Sequence, residues 1–176
     1  MSNLKVPVND ADHTQGNKNA PITLVEYGDY QCPACALAFP IIKRLQKHFG
    51  KNLLFVFRQF PLIEIHPYAE VAAETAEFAG QHNKFWEMHD FIYTHQQELG
   101  LPLLFELTQS LNLSETELQF ELQNGTFKGK IKSDFLSGVY SGVDGTPTFF
   151  INGRKHEGPY DYDTLVEVIE HQLVAK

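Results

Sequence analysis

The sequence predicts an α/β fold in which a central mixed β-sheet is flanked by helices and interrupted by an inserted α-helical domain. Near the start of the chain, two short runs rich in β-branched and aromatic residues enclose a segment with helical spacing, which predicts a β-α-β unit. After residue 57, the next clear strand signal comes only at Thr148–Ile151. The residues in between have apolar side chains at helical spacing, so they are predicted to form helices.

The β-α-β unit consists of strands predicted over Ile22–Tyr27 and Asn52–Phe57 and of a helix predicted from Pro33 to about His48. Gly50 follows the helical pattern at the position where a C-cap glycine is common. Two parallel strands joined through a helix form a right-handed crossover. The two strands should therefore lie in one sheet, with the helix packed against it.

The helical insertion is predicted over residues 62–142. Its helices are predicted at 68–80, 84–97, 102–111, 114–123 and 127–140. Ser114 and Glu117 have the spacing of a capping box, which supports the start of one of these helices.

The chain returns to the sheet after the insertion. Asn152-Gly153 is a strong signal for a tight hairpin between Thr148–Ile151 and a short strand predicted over Arg154–Glu157. Tyr162–Leu173 is predicted to close the chain as an amphipathic helix. The predicted organisation is therefore a polar N-terminal leader at 1–20, a sheet domain formed by 21–61 and 143–176, and the inserted helical domain at 62–142.

Composition excludes several partners. The net charge of -8 over 176 residues is unlike the basic surface that nucleic-acid binding needs. The chain has no run of eighteen apolar residues, so no membrane insertion is predicted. The first twenty residues contain no apolar run like that of a secretory signal, which favours the cytoplasm. A periplasmic chain that had lost its signal peptide would look the same.

The two cysteines are the strongest chemical signal. Cys32 and Cys35 are the only cysteines and lie three positions apart, which excludes a framework of disulfides and indicates redox or metal chemistry. Cys32 stands at the start of a predicted helix, where unpaired N–H groups and the helix dipole stabilise a thiolate. Pro33 suits the first helical position, and Ala34 completes the CPAC motif. We therefore predict an exposed attacking Cys32 and a buried resolving Cys35.

The motif alone leaves other interpretations open. A CxxC pair is also found as two buried cysteines without a chemical role or as half of a tetrahedral zinc site. A zinc site would need two further ligands, and without other cysteines these must be histidines or carboxylates. An oxidation-sensing or metal-binding interaction module is therefore the main alternative to an enzyme.

Longer segments of the chain favour an enzyme over an interaction module. The CPAC segment and Gly145–Phe150 (GTPTFF) both resemble signatures of the thioredoxin superfamily. Leu24–Cys32 (LVEYGDYQC), Arg58–Leu62 (RQFPL) and Phe85–Asp90 (FWEMHD) are similar to its DsbA-like branch, in which a helical domain is inserted into the thioredoxin fold. The resemblance implies a thioredoxin-like fold and a thiol–disulfide oxidoreductase activity.

The resemblance also implies roles for residues outside the CxxC motif. In the family, the proline corresponding to Pro147 is cis and packs beside the disulfide, and the preceding residue, here Thr146, offers backbone groups to an extended substrate. The superfamily has an acidic residue six positions before the first cysteine, which corresponds to Glu26. A carboxyl group in the middle of a buried strand should have a raised pKa and could relay a proton to or from Cys35.

We predict an enzyme that exchanges disulfides with protein or small-molecule substrates. It should need no bound cofactor beyond its own Cys32–Cys35 dithiol, and an unidentified redox partner should supply or accept its electrons. The dipeptide Pro33-Ala34 has no charged side chain to support the thiolate, unlike the histidine of typical DsbA enzymes. We therefore favour a reductase, with a disulfide donor and a glutathione-conjugate enzyme as alternatives.

Overall fold

The computed structural model describes residues 2–175 and shows the predicted α/β fold with a mixed five-stranded sheet. The strands are β1 (His13–Gly16), β2 (Ile22–Gly28), β3 (Leu53–Gln59), β4 (Thr148–Ile151) and β5 (Arg154–Lys155). Their order in the sheet is β1-β3-β2-β4-β5. β2 and β3 are parallel, and the other neighbours are antiparallel. The loop after β2 therefore leaves from the centre of the sheet.

Helices cover both faces of this sheet. They are α1 (Pro33–Phe49), α2 (Ala69–Gln81), α3 (Phe85–Thr94), α4 (Leu101–Ser110), α5 (Glu115–Asn124), α6 (Lys128–Tyr140) and α7 (Tyr162–Val174), with short 3₁₀ turns at Gly50–Asn52 and Gln96–Glu98. Helices α2 to α6 lie between β3 and β4, where the helical insertion was predicted. At the start of α5, the Ser114 hydroxyl accepts a hydrogen bond from the N–H of Glu117 at 3.2 Å, as the capping-box spacing predicts.

Burial on both faces explains the apolar runs of the central strands. On β2, Leu24 packs in the larger core with residues of α1 and α7, whereas Val25 and Tyr27 pack in a smaller core on the opposite face. β3 is buried along its whole length. Strands covered on both faces are read as continuous apolar runs, which is why these two were recognisable in the sequence.

Residues 1–20 contain a strand that the sequence did not predict. β1 pairs antiparallel with β3, with His13 opposite Phe57. Arg58, only 1% exposed, holds the preceding segment through two hydrogen bonds to the Asp12 carboxylate, at 2.8 and 2.9 Å, and one to the carbonyl of Val6. The leader is therefore part of the sheet domain. Its HTQG strand has no apolar alternation that could have indicated it.

The other differences concern the ends of elements. β3 continues to Gln59, two residues further than predicted, whereas β5 consists of Arg154–Lys155 only. The predicted helix over 84–97 ends at Thr94 and is followed by the 3₁₀ turn. The end of β3 depends on a long-range contact, because the N–H of Gln59 donates to the Asp134 carboxylate at 3.0 Å.

Candidate active site

The CPAC motif joins the carboxyl end of β2 to α1. Cys32 is the N-cap residue of α1 with an extended backbone (φ -69°, ψ 121°), and Pro33 occupies the first turn, as predicted. The N–H of Cys32 donates to the carbonyl of Asp29 at 3.1 Å, which turns the chain into the helix. The Cys32 side chain thus lies at the amino terminus of a 17-residue helix, where the helix dipole favours negative charge.

Cys32 is less accessible than the sequence predicted. It is 7% exposed, and its Sγ–H donates to the carbonyl of Thr146 at 3.4 Å, so the segment before β4 lies against the thiol. The pKa of Cys32 is lowered to about 5 because its thiolate accepts hydrogen bonds from the Cys35 thiol, the Thr146 side chain and the N–H groups of Cys35 and Ala34, which outweigh burial. The thiolate is therefore well supported without a charged residue in the dipeptide.

Cys35 differs from Cys32 in the direction of its pKa shift. It is fully buried, and both cysteines are free thiols. Burial raises the pKa of Cys35 well above its ordinary value, and its hydrogen bond to Cys32 and the nearby charge of Glu26 raise it further. The two sulfurs therefore differ in protonation over a broad pH range, with an ionised Cys32 beside a protonated Cys35.

Glu26 lies inside the fold. It is 3% exposed, and its Oε1 atom has no hydrogen-bond partner among residues 2–175. Burial, and secondarily the negative charge of Cys32, raise the pKa of Glu26 to about 8. A carboxyl group in this environment changes its protonation state near neutral pH, which suits an acid or base. Glu26 is therefore not an exposed residue at the edge of the sheet.

Thr146 and Pro147 form the wall of the site opposite α1. The peptide bond between them is cis. The Thr148 hydroxyl donates to the carbonyl of Gly145 at 2.8 Å, which closes the turn into β4. Apart from the Cys32 sulfur, the buried Thr146 hydroxyl has no hydrogen-bond partner in the described part of the chain, so it serves the thiolate alone.

Asp29 organises the loop before Cys32, and the sequence did not indicate this role. Its fully buried carboxylate accepts hydrogen bonds from the N–H groups of Gln31, at 2.8 Å, and Leu62, at 2.9 Å. His66 Nδ1 lies 2.7 Å from the same carboxylate. His66 is therefore tied to the active-site loop.

Gln96 supplies a second support that sequence reasoning missed. Its side-chain amide nitrogen donates to the carbonyls of Tyr30 and Cys32, both at 2.8 Å. One amide group thus fixes the backbone on both sides of Gln31 and connects the helical insertion to the catalytic loop. A glutamine in a polar 3₁₀ turn has no sequence pattern that marks it as a site residue.

The described residues form neither a metal-binding cluster nor a membrane-spanning helix. Among residues 2–175, no group of three or more histidine, cysteine, aspartate or glutamate side chains is arranged to hold a metal ion. Within the same residues, every helix is too short or too polar to cross a membrane.

The fold and the paired thiols define the class of protein, a DsbA-like member of the thioredoxin superfamily with a CxxC dithiol. Residues 8–171 match the family model described as Thioredoxin, and the chain therefore belongs to this family. Among solved structures, oxidised BdbD from Bacillus subtilis superposes with a TM-score of 0.87 at 26% identity, covering 98% of this chain and 97% of BdbD. Wolbachia pipientis α-DsbA1 superposes with a TM-score of 0.80 at 24% identity, over 98% of this chain and 97% of that one, which shows the fold alone.

The curated relatives of this chain are named as antiporters, unlike the solved structures that resemble it. A Salinispora arenicola protein named Na(+)/H(+) antiporter NhaA 1 is 44% identical over 163 residues, which are 92% of this chain and 25% of the relative. A Herminiimonas arsenicoxydans protein named Na(+)/H(+) antiporter NhaA is 36% identical over 168 residues, 95% of this chain and 27% of the relative. The chain spans about a quarter of the length of these curated relatives. Their names describe proteins of which this chain corresponds to one part.

Proposed function

We propose that this chain reduces disulfides in protein substrates through Cys32 and Cys35. The observation that carries the proposal is the asymmetry of the two thiols. The ionised Cys32 is the nucleophile of the first step. The buried, protonated Cys35 lies one helical turn away and reacts in the second step. No cofactor beyond this dithiol is needed, because the two cysteines together supply two electrons.

The proposed reaction has two exchange steps. The Cys32 thiolate attacks one sulfur of the substrate disulfide, a mixed disulfide forms, and the other substrate sulfur leaves as a thiolate that takes up a proton. Cys35 then loses its proton and attacks the Cys32 sulfur, which breaks the mixed disulfide and releases the second substrate thiol. The substrate disulfide is reduced, the Cys32–Cys35 pair is oxidised, and an external dithiol restores it.

We assign the proton transfer at Cys35 to Glu26. Its pKa of about 8 means that it can take up a proton near neutral pH, and its charge interacts with that of Cys35. In the resolving step the Glu26 carboxylate accepts the Cys35 proton, and in the reverse step it returns it. The buried position excludes bulk water from this exchange, so the proton needs an internal acceptor.

Thr146 and Pro147 are proposed to hold the substrate. The Thr146 carbonyl, 3.4 Å from Cys32 Sγ, lies where the backbone of an extended substrate segment could pair with it. Main-chain pairing of this kind provides affinity without demanding a particular sequence. Unfolded or flexible protein segments that carry disulfides are therefore the expected substrates.

The direction of exchange follows from the support of the Cys32 thiolate. A lower thiolate pKa stabilises the reduced form, and the value of about 5 lies between those of thioredoxin and DsbA. Relative to the thioredoxin potential of about -270 mV, this difference raises the potential at pH 7 by at most about 50 mV, with solvent screening reducing it. Even with this increase the potential stays well below the DsbA value of about -120 mV, and the couple is largely reduced where the glutathione poise is about -280 to -320 mV, which favours the reductase over a disulfide donor.

Trapping of the mixed disulfide tests the proposal. Cys35→Ser retains the nucleophile but lacks the resolving thiol, so it should accumulate a covalent adduct with a protein disulfide such as that of insulin. Cys32→Ser is the matched control and should form no adduct, because Cys35 is buried and protonated. Equal adduct formation by the two variants, or none by either, would contradict the assigned roles.

A further inference from the structure

We propose that the Tyr93 hydroxyl is a further residue of the exchange reaction, donating a hydrogen bond to the Cys35 thiolate while Cys35 attacks the mixed disulfide. This inference rests on the proposed function. It adds a donor from the helical insertion to a step that otherwise uses only Glu26 and the two cysteines.

Tyr93 faces the side of α1 that carries Cys35. Its ring stacks on Phe39, with 5.4 Å between ring centroids and an interplanar angle of 30°. Phe39 comes four residues after Cys35, and residues four apart lie on the same face of a helix. Helical side chains tilt towards the amino terminus, so Phe39 directs the contact towards the turn that holds Cys35.

The Tyr93 hydroxyl also faces the side of β2 that carries Glu26. A Cβ atom added to Gly28 would lie 3.1 Å from the Tyr93 oxygen. Gly28 comes two residues after Glu26, and residues two apart lie on the same face of a strand. Tyr93 thus lies between the face of α1 that carries Cys35 and the face of β2 that carries Glu26.

Packing alone does not explain why residue 93 carries a hydroxyl group. Tyr93 is 6% exposed, and its oxygen has no hydrogen-bond partner among residues 2–175. The Oε1 atom of Glu26 is likewise buried without a partner. Buried polar groups are nearly always paired, and an unpaired one destabilises the fold. Phenylalanine would fill the same space without this cost, so the hydroxyl is explained by a state in which it gains a partner.

That state arises during the resolving step. Glu26 accepts the Cys35 proton, the Cys35 electron pair forms the bond to Cys32, and the substrate sulfur leaves as a thiolate that takes up a proton. The Tyr93 O–H donates to the Cys35 thiolate between its formation and the new bond. Burial, and then the charges of Cys35 and Glu26, raise the pKa of Tyr93 well above its ordinary value, so the hydroxyl keeps the proton that it donates.

The test is Tyr93→Phe, with Tyr140→Phe as the matched control because Tyr140 is exposed and far from the cysteines in sequence. Acid-quenched single-turnover reactions with a peptide disulfide separate formation of the mixed disulfide from its resolution. We expect Tyr93→Phe to slow resolution about tenfold, the factor for loss of one hydrogen bond to a charged group, and to leave the attack rate unchanged. Its thermal midpoint should be equal to or above that of the wild type.

Two results would overturn the inference. Wild-type resolution rates in Tyr93→Phe would show that the hydroxyl takes no part. Equal slowing of both steps together with a lower thermal midpoint would show that it acts only in packing. Failure of the wild-type protein to form any mixed disulfide would instead contradict the proposed function itself, so the two failures can be distinguished.

Discussion

Replacement of Glu26 with glutamine should change how the stability of the protein depends on pH. The carboxyl group has a pKa of about 8 in the folded protein and an ordinary value of 4.5, and burial is the main cause of the difference. Folding therefore takes up a proton between these pH values. A raised carboxyl pKa makes the folded state less stable as pH rises through this window, because the unfolded chain ionises freely while the buried group resists.

The magnitude follows from the two pKa values. Each pKa unit corresponds to about 1.4 kcal/mol, so ionisation of Glu26 lowers the free energy of unfolding by about 3 to 5 kcal/mol between pH 4.5 and pH 8. Glu26→Gln removes this loss, because an amide does not titrate. Relative to its parent, the variant should gain stability steadily over the window and reach its full advantage above about pH 8.

The assay is urea unfolding at several pH values in a Cys32→Ser background, which removes the titration of the nucleophile. Without the Cys32 charge, burial alone raises the Glu26 pKa, so the lower end of the range is expected. Glu157→Gln, at an exposed position, is the matched control and should follow its parent at every pH. Parallel stability curves for Glu26→Gln and its parent between pH 4.5 and 8 would refute the assignment of a buried, pKa-shifted carboxyl.

Three further outcomes are expected. Gly28→Ala places a Cβ against the ring of Phe57, closer than van der Waals contact allows, and should lower the free energy of unfolding by about 1 to 3 kcal/mol; an unchanged urea midpoint would contradict this packing. Arg58→Met leaves the Asp12 carboxylate buried without its cation and should destabilise the protein by about 3 to 5 kcal/mol, whereas the double variant with Asp12→Asn should recover part of the loss. The ultraviolet absorbance of the Cys32 thiolate should titrate with a midpoint of about 5, and a midpoint above about 7 would remove the basis for its ionised state at neutral pH.

Most of the core elements could be predicted from the sequence, because a buried face places apolar residues at regular intervals along the chain. The apolar runs of β2 and β3, the helical spacing after Pro33 and the helices of the insertion all follow from which faces are buried, and they were predicted to within a few residues. β1 was missed because its residues, HTQG, have no apolar alternation and are held by backbone pairing with β3, while Arg58 holds the preceding Asp12 through long-range contacts. No periodicity records such contacts.

Some residues of the candidate site could likewise be recognised in the sequence, and others could not. Cys32 and Cys35 are marked by their type and spacing, and Glu26 by a charge within an apolar run. Asp29 bonds to the N–H of Leu62, and Gln96 bonds to the carbonyls of Tyr30 and Cys32. These backbone groups are distant in sequence, and only the folded chain brings them together. The sequence also led us to expect weak support for the thiolate, because it could not reveal donors from outside the CPAC dipeptide.

The reduction potential of the Cys32–Cys35 couple decides between a reductase and a disulfide donor. The protein would be equilibrated in glutathione or dithiothreitol buffers, and the fraction of disulfide measured by thiol alkylation, with Cys32→Ser as the control that cannot form it. We expect a potential between about -270 and -220 mV, which defines a reductase in a glutathione-buffered compartment. A potential near the DsbA value of about -120 mV would make the enzyme a disulfide donor, and failure to form the disulfide would contradict the exchange reaction altogether.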